Sequence, residues 1–297
     1  MQSGDYKYEG EAPGPIQIVV EDGRKDGLPF APAKIGISKL KVQLTPSDMD
    51  PLDYLGRSLA AELTKHGIAA STKPTEGAEV IKVRVEAFNI DVRFATGFGP
   101  TTTLTRLRTV VSYEGKSQIV SDAIVRSNVL KSSPKKDKKG TWAYVFEDAI
   151  HTVIRGAAAK LNRHFWGLSV PGAKVDQMIA AVPASPDKRE LTKLVDLACT
   201  NNERAAKYLR VQAQHDVQSQ RRTALWALGV IGSDTDVPAL EKTAMEGGDG
   251  RLLMGIKSLE DIGTPKAQAA IKTVEAAKRP TLSGRGLAWL DAILNLY

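Results

Sequence analysis

Residues 222–232 read RTALWALGVIG and have the pattern of an amphipathic helix that ends at a glycine. Their apolar side chains recur every three or four residues, and Gly232 follows the last of them as a helix stop. The same arrangement returns 31 residues further along the chain and ends at Gly263. A spacing of this kind predicts an internal structural repeat.

The repeat extends in both directions from this stretch. Each unit is predicted as a helix, a short turn and a second helix, and neither helix can bury its apolar face alone, so neighbouring units must stack. Trp226 and Trp289 lie on the apolar faces and are predicted to pack in the core. The aligned columns are Leu194, Leu225, Ile256 and Leu287; Leu197, Leu228, Leu259 and Leu290; Thr200, Ile231, Ile262 and Ile293; and, in the second helices, Leu209, Leu240 and Ile271.

These columns resemble short HEAT-type repeats of the PBS-lyase-like kind. The resemblance covers residues 188–297, as three 31-residue units followed by a capping helix, RGLAWLDAILNLY. It implies an all-α solenoid that binds other macromolecules through its exposed helix faces. A structural spacer is the alternative, because a fold does not determine a function.

The composition is that of an ordinary globular protein, with 42% hydrophobic and 25% charged residues over 297 positions. Such a length favours about two domains. Cys199 is the only cysteine, so a disulfide within the chain is excluded, and its place on an apolar stripe predicts a buried, inert thiol. No apolar run is long enough to cross a bilayer.

The first half of the chain predicts an α+β domain, with two helices on one face of a mainly antiparallel sheet. A helix follows Asp50 and Pro51 and ends at Gly67, and Glu114 and Gly115 are predicted to turn a hairpin. The predicted strands are 16–20, 34–44, 79–88, 101–115 and 116–129, and the second helix is 142–161.

This element order resembles the YajG-like family of bacterial outer-membrane lipoproteins over residues 14–168. The shared features are an Asp-x-Arg turn after the first strand, at Asp22 and Arg24, and a helix ending in LTKHG before the strand KVRVEAF. The family implies a lipid anchor, but no lipobox cysteine precedes the domain here. The resemblance therefore implies a signal peptide and cysteine removed ahead of Met1, with a cytosolic relative as the alternative.

The predicted domain organisation has four parts. Residues 1–14 form a flexible lead, 15–168 the lipoprotein-like α+β domain, 169–187 a proline-rich linker and 188–297 the repeat domain. The two domains are expected to fold separately.

No catalytic, cofactor or metal motif is present in the sequence. The four histidines do not have the spacing of metal ligands within one helix, and phosphate-loop, nucleotide-binding and nucleophile-elbow motifs are absent. The prediction is a protein that is not an enzyme and that has no cofactor.

Three groups of residues are candidates for contact with a partner. Exposed charges on the second helices could orient a protein partner; they are Arg204, Lys207, Arg210, Asp236 and Glu241. A lysine-rich loop could hold anionic or lipid ligands by charge alone, or could simply be solvated; it carries Lys131, Lys135, Lys136, Lys138 and Lys139. Phe94 and Phe98, beside glycine and proline, could insert into lipid or pack over the sheet edge.

Together these features favour an envelope scaffold lipoprotein that binds a protein partner through its repeats, on the periplasmic face of the outer membrane. A basic, cytoplasmic HEAT-type nucleic-acid binder and a lipid- or lipopolysaccharide-transport accessory are the alternatives. The net charge of +7 is shared between both halves of the chain, which argues against a domain for nucleic acid.

Overall fold

Seven β-strands and ten α-helices make up the described part of the chain. The computed structural model describes residues 4–24, 32–35, 38–41, 50–94, 101–128, 141–184, 186 and 190–297. The strands are β1 (Ile16–Asp22), β2 (Pro32–Ile35), β3 (Ser38–Lys41), β4 (Ala70–Ser71), β5 (Glu79–Phe94), β6 (Thr101–Tyr113) and β7 (Lys116–Asn128). The helices are α1 (Pro51–Lys65), α2 (Thr141–Leu161), α3 (Gly172–Ala180), α4 (Thr192–Ala198), α5 (Glu203–Gln212), α6 (Gln218–Ile231), α7 (Val237–Glu246), α8 (Asp249–Ile262), α9 (Pro265–Lys278) and α10 (Gly284–Leu294).

The strands form one mixed sheet, with β5 at its centre. On one side β5 pairs in parallel with β1 and β2, and on the other it pairs antiparallel with β6, which pairs antiparallel with β7. The long antiparallel ladders of β5, β6 and β7 agree with the predicted mainly antiparallel sheet, and the parallel pairing of β1 and β2 with β5 makes the sheet mixed. The reason is α1, which lies between β1 and β5 along the chain and returns it to the same end of the sheet, so that the two strands run in one direction.

Two strands differ in extent from the sequence prediction. The stretch predicted as one strand over residues 34–44 holds the short antiparallel strands β2 and β3. The strand β5 continues to Phe94, beyond the predicted end at residue 88, because β6 pairs with it along its whole second half. The predicted turn between β6 and β7 is confirmed: Glu114 and Gly115 both have positive φ, of 47° and 75°.

Helix α1 has the ends that its sequence predicts. The Asp50 carboxylate accepts a hydrogen bond from the backbone N–H of Leu52 at 2.6 Å, and Pro51 occupies the first helical position. The chain leaves the helix through Gly67, whose φ of +100° suits glycine. The buried face of α1 packs on β1 and against α2, which itself packs on β6 and β7.

Helix α2 is buried on two sides, which its apolar stripe alone does not predict. Its apolar residues Phe146, Ala149 and Val153, which recur at helical spacing, are buried towards the core. However, Arg155 and Lys160 are buried as well. Arg155 is covered because it bonds to Glu62 on α1 and to Asp196 on α4, and Lys160 because it lies against Ser121 on β7 and Asp261 on α8.

The C-terminal part consists of helices in pairs: α4 with α5, α6 with α7, and α8 with α9, followed by α10. The first helices contact their counterparts in the next pair, as α4 with α6, α6 with α8 and α8 with α10, and α7 contacts α9. The aligned columns are buried or half-buried throughout, and both predicted core tryptophans are buried. Helices α6 and α8 also contact β7, an outer strand of the described sheet. None of the described helices is both long and apolar enough to cross a membrane.

The segments outside the two main parts are packed where they are described. Residues 4–10 belong to the predicted flexible lead, yet Tyr6 is buried, and the backbone of Glu9 bridges to Ser169. Within the predicted linker, α3 contacts α4 and α5, and Val175 is buried. Separate folding of the two halves stays a prediction.

Candidate functional site

The candidate partner residues on the second helices are partly engaged with one another. The Arg210 guanidinium donates to Asp236 and Glu203, and Arg204 is ion-paired with Asp176. Asp236, expected to be exposed, has an exposed fraction of 1%, which corrects that expectation. It is buried because its carboxylate also accepts the backbone N–H of Ser233 at 2.9 Å, just before α7.

Two side chains on α5 remain open to a partner. These are Lys207 and Val211. Lys207 is exposed and, within the described residues, makes no ion pair. The candidate Glu241, on α7, is half-buried. Val211 lies one helical turn after Lys207 and is 68% exposed. Sequence reasoning missed Val211, although its position two residues beyond the buried Leu209 turns it away from the core.

The structure gives no side-chain positions for the candidate residues of the lysine-rich loop and the phenylalanine pair. The residues Lys131, Lys135, Lys136, Lys138, Lys139 and Phe98 lie outside the described residues. Phe94 ends β5, and the structure describes its backbone only.

The structure reveals a buried charge cluster that the sequence analysis did not single out, formed by Asp122 on β7, Lys160 on α2, and Lys257 and Asp261 on α8. The Lys257 ammonium lies 2.7 Å from Asp122 and 2.5 Å from Asp261, and all three side chains are fully buried. Lys160 lies 2.6 Å from Asp261 and 3.8 Å from Asp122. Two carboxylates and two ammonium groups therefore neutralise one another between the sheet and the helical part.

Neighbouring groups complete this buried charge cluster. The indole N–H of Trp226 on α6 donates to Asp122 at 2.9 Å, and the Tyr297 hydroxyl donates to Asp261. Lys257 also lies 5.0 Å from the centre of the Trp226 ring, within cation–π distance. Gly156 on α2 makes room for the cluster, because a Cβ there would come 1.9 Å from an Asp122 oxygen.

Burial and charge compete in setting the pKa values of the cluster. Burial raises the pKa of Asp122 and lowers the pKa of Lys160, since each charged form loses its hydration. For Asp261 the combined effect of the two lysines outweighs burial and lowers its pKa. The two carboxylates likewise outweigh burial and raise the pKa of Lys257.

A repeat alignment does contain a signal for this cluster. Lys257 occupies the position that Val195 and Trp226 hold in the preceding units, and Asp261 occupies that of Cys199 and Val230. A charged residue in a column that is otherwise apolar indicates a buried ion pair with a partner outside the repeat. Asp122 carries no such signal, because an Asp within a strand is equally compatible with an exposed position.

A cleft of about 390 Å³ opens beside the buried charge cluster. It lies between the outer edge of β7 and the junction of α8 with α9. Its polar lining includes Glu260, whose carboxylate accepts a hydrogen bond from the Gln268 amide at 2.9 Å. The other lining residues are Gln118, Ile119, Ser121, Lys160, His164, Asp261, Ile262, Gly263 and Tyr297.

A second buried network holds the N-terminal segment. The His66 ring stacks on Tyr6 and lies 3.1 Å from Glu62, whose carboxylate also accepts from Arg155 at 3.0 Å. Arg155 extends this network to Asp196 on α4. His66 is thus a satisfied core residue, consistent with its predicted place at the end of α1.

Cys199 is buried beside this network, as its apolar stripe predicts. Burial raises the pKa of its thiol to about 12, so it stays protonated at neutral pH. Within the described residues, no group of three or more His, Cys, Asp or Glu side chains is arranged to hold a metal ion.

Comparison with known proteins yields no family model and no curated protein that matches this chain. A solved structure described only as an uncharacterized protein is similar to it with 9% identity and a TM-score of 0.25. The alignment covers 48% of this chain and 84% of that chain. Function therefore has to be argued from the residues described above.

Proposed function

We propose that this protein is a non-enzymatic scaffold that binds a protein partner through the outer helices of its C-terminal part. In this proposal the helix pairs form a HEAT-type solenoid. Support comes from the contacts between successive first helices and from the buried columns that repeat every 31 residues. The first helices α6 and α8 face the sheet, which leaves the second helices α5, α7 and α9 on the outside.

The observation that carries the proposal is the open surface of α5. Lys207 and Val211 are exposed one helical turn apart, while the neighbouring Arg204 and Arg210 are held in ion pairs. Covering Val211 with a partner would remove apolar area from water, which is favourable, and Lys207 supplies a charge beside it that could select the partner.

We propose further that the scaffold works as a lipid-anchored accessory on the periplasmic face of a bacterial outer membrane. This part rests on the resemblance of residues 14–168 to the YajG-like family. The Asp-x-Arg turn of that resemblance is well formed here, since Arg24 donates to Asp22 through its backbone and its guanidinium.

A crosslinking experiment in the native host tests the binding surface. A photoreactive amino acid at Lys207 is expected to give a discrete adduct with one protein, and the same group at the exposed Lys73 of the α+β part is expected to give none. Val211→Lys should abolish the Lys207 adduct without changing the melting temperature. Equal adducts at both positions, or none at Lys207, would refute this surface.

Fractionation tests the location independently. The full-length gene product is expected in the outer-membrane fraction, with a fatty-acyl label on a cysteine ahead of this chain. Recovery of an unlabelled protein from the cytoplasm would refute the envelope proposal and leave the binding surface untouched.

A further inference from the structure

The backbone N–H and C=O groups on the outer edge of β7 have side-chain hydrogen-bond partners along only part of the strand. Since Tyr113 and Lys116 flank a two-residue turn, alternate residues from Ser117 onward direct their backbone N–H and C=O groups away from β6. Two contacts agree with this alternation. The Ser121 carbonyl accepts from Lys160 at 2.5 Å, and the Ala123 N–H donates to the Asp122 carboxylate at 2.8 Å.

The first two outward-facing residues have no such partner. No described residue bonds to the outer backbone groups of Ser117 or Ile119, and residues 116–119 are all exposed. Ile119 is 40% exposed, which is high for a large apolar side chain. A short stretch of strand edge is therefore free to pair with another extended segment.

This free edge borders the cleft beside the buried charge cluster. Gln118, Ile119 and Ser121 form one wall of the cleft, and Glu260 belongs to the opposite wall on α8. A segment that pairs with Ser117 and Ile119 would run along the mouth of the cleft. Side chains of a strand alternate, so every second side chain of that segment would point to one side.

The charge of the cleft indicates which kind of side chain the incoming segment would place in it. The two aspartates of the buried charge cluster are balanced by its two lysines, and His164 is neutral at pH 7 because burial lowers its pKa. Glu260 remains, with no lysine or arginine within ion-pair distance among the described residues. Burial, together with Asp261 and Glu275, raises the pKa of Glu260, because its charged form has no cation beside it. A lysine or arginine of the incoming segment would supply that cation and favour the charged form. A second copy of this chain would instead bring a cleft of the same charge.

We propose that an extended peptide segment of a partner protein adds to the sheet at Ser117 and Ile119 and places a basic side chain in the cleft against Glu260. Main-chain hydrogen bonds give such strand addition its affinity, and the pocket for an alternate side chain gives its specificity. This site is separate from the α5 surface and does not depend on it.

Titration with designed peptides tests this proposal. The probes are two capped heptapeptides of alternating threonine and valine, one with a central arginine and the other with a central glutamate. A third probe is the arginine peptide N-methylated at every backbone amide, which leaves it no N–H group to donate to a strand edge. The amide signals of Ser117 and Ile119 are followed by NMR on the intact protein.

The arginine peptide is expected to shift both amide signals and to bind at least about tenfold more tightly than the glutamate peptide, a difference of about 1.4 kcal/mol. Glu260→Lys should reverse that preference. Ile119→Pro removes one outward N–H and should abolish binding, whereas Ile119→Thr keeps the N–H and should bind within about threefold of wild type.

Three results would overturn the proposal. They are equal binding of the N-methylated peptide, equal affinity for both charges, and no shift at Ser117 or Ile119 at millimolar peptide. Dimerisation that Ile119→Pro abolishes, without any peptide binding, would assign the edge to self-association instead. Thermal melts of both Ile119 variants serve as the control that the sheet stays folded. The peptide results do not depend on the crosslinking experiment at Lys207, so the two proposals can fail separately.

Discussion

Replacement of Lys257 by methionine is the most direct test of the buried charge cluster. The substitution keeps the length of the side chain and removes its charge, leaving Asp122 and Asp261 buried with Lys160 alone. At an effective dielectric constant of about 20, ion pairs at 2.7 Å and 2.5 Å are each worth about 6 kcal/mol before desolvation. Removing the ammonium also removes its own desolvation penalty of several kcal/mol. The expected net loss is about 3–5 kcal/mol in the free energy of unfolding.

The assay is equilibrium urea unfolding followed by circular dichroism. Lys207→Met serves as the matched control, because Lys207 is exposed and unpaired within the described residues, and its loss should change stability by less than about 0.5 kcal/mol. The double variant Lys257→Met with Asp261→Leu restores a neutral cluster of Asp122 and Lys160. It should recover a large part of the stability, since removing both members of a buried pair is often nearly neutral.

The two variants separate electrostatics from packing. If Lys257→Met costs no more than Lys207→Met, the cluster does not hold the helical part to the sheet. If the double variant is less stable than the single one, packing of the two side chains matters more than their charge, and the electrostatic reasoning is refuted. A single variant that fails to fold still leaves the double variant as a test.

Two further substitutions test the core. Leu228→Ala should cost about 2–5 kcal/mol in thermal or urea unfolding, because Leu228 is 2% exposed within the stacked helices. Val211→Ala on the surface should cost less than about 0.5 kcal/mol, and equal losses would contradict the stacking. The neighbours of Glu62 lower its pKa from 4.5 to about 2, so its stabilisation is complete above pH 4.5 and is lost as the pH falls towards 2. Wild type should therefore lose about 3 kcal/mol more than Glu62→Gln over that range, and parallel pH curves would falsify this.

The repeat was predictable from the sequence because its signal is local and periodic. Leu197, Leu228 and Leu259 recur at one spacing, and apolar residues at helical spacing indicate a helix that buries one face. The ends of α1 were predictable for the same reason, since Asp50 and Gly67 act on backbone groups within a few residues. The pairing of β1 with β5 was not, because strand direction depends on the path of the chain between them.

The candidate site was only partly predictable. Lys207 was identified correctly as an exposed residue, whereas Asp236 was expected on the surface and is buried. A charged residue near a helix start looks the same in sequence whether it faces water or an arginine from the preceding helix pair. The exposure of Val211 and the free edge at Ile119 were not predicted either, since each depends on which neighbour covers it.

Short-range periodicity and turn chemistry were enough to predict the helix repeat, the hairpin between β6 and β7, and the burial of Cys199 and Trp226. The contact of α8 with β7, and that of Asp122 with Lys257 across 135 residues of chain, instead depend on long-range packing that no local pattern encodes. An isolated helix gives no information about which surface will cover it. A buried charge becomes recognisable only when the group that neutralises it is brought into contact.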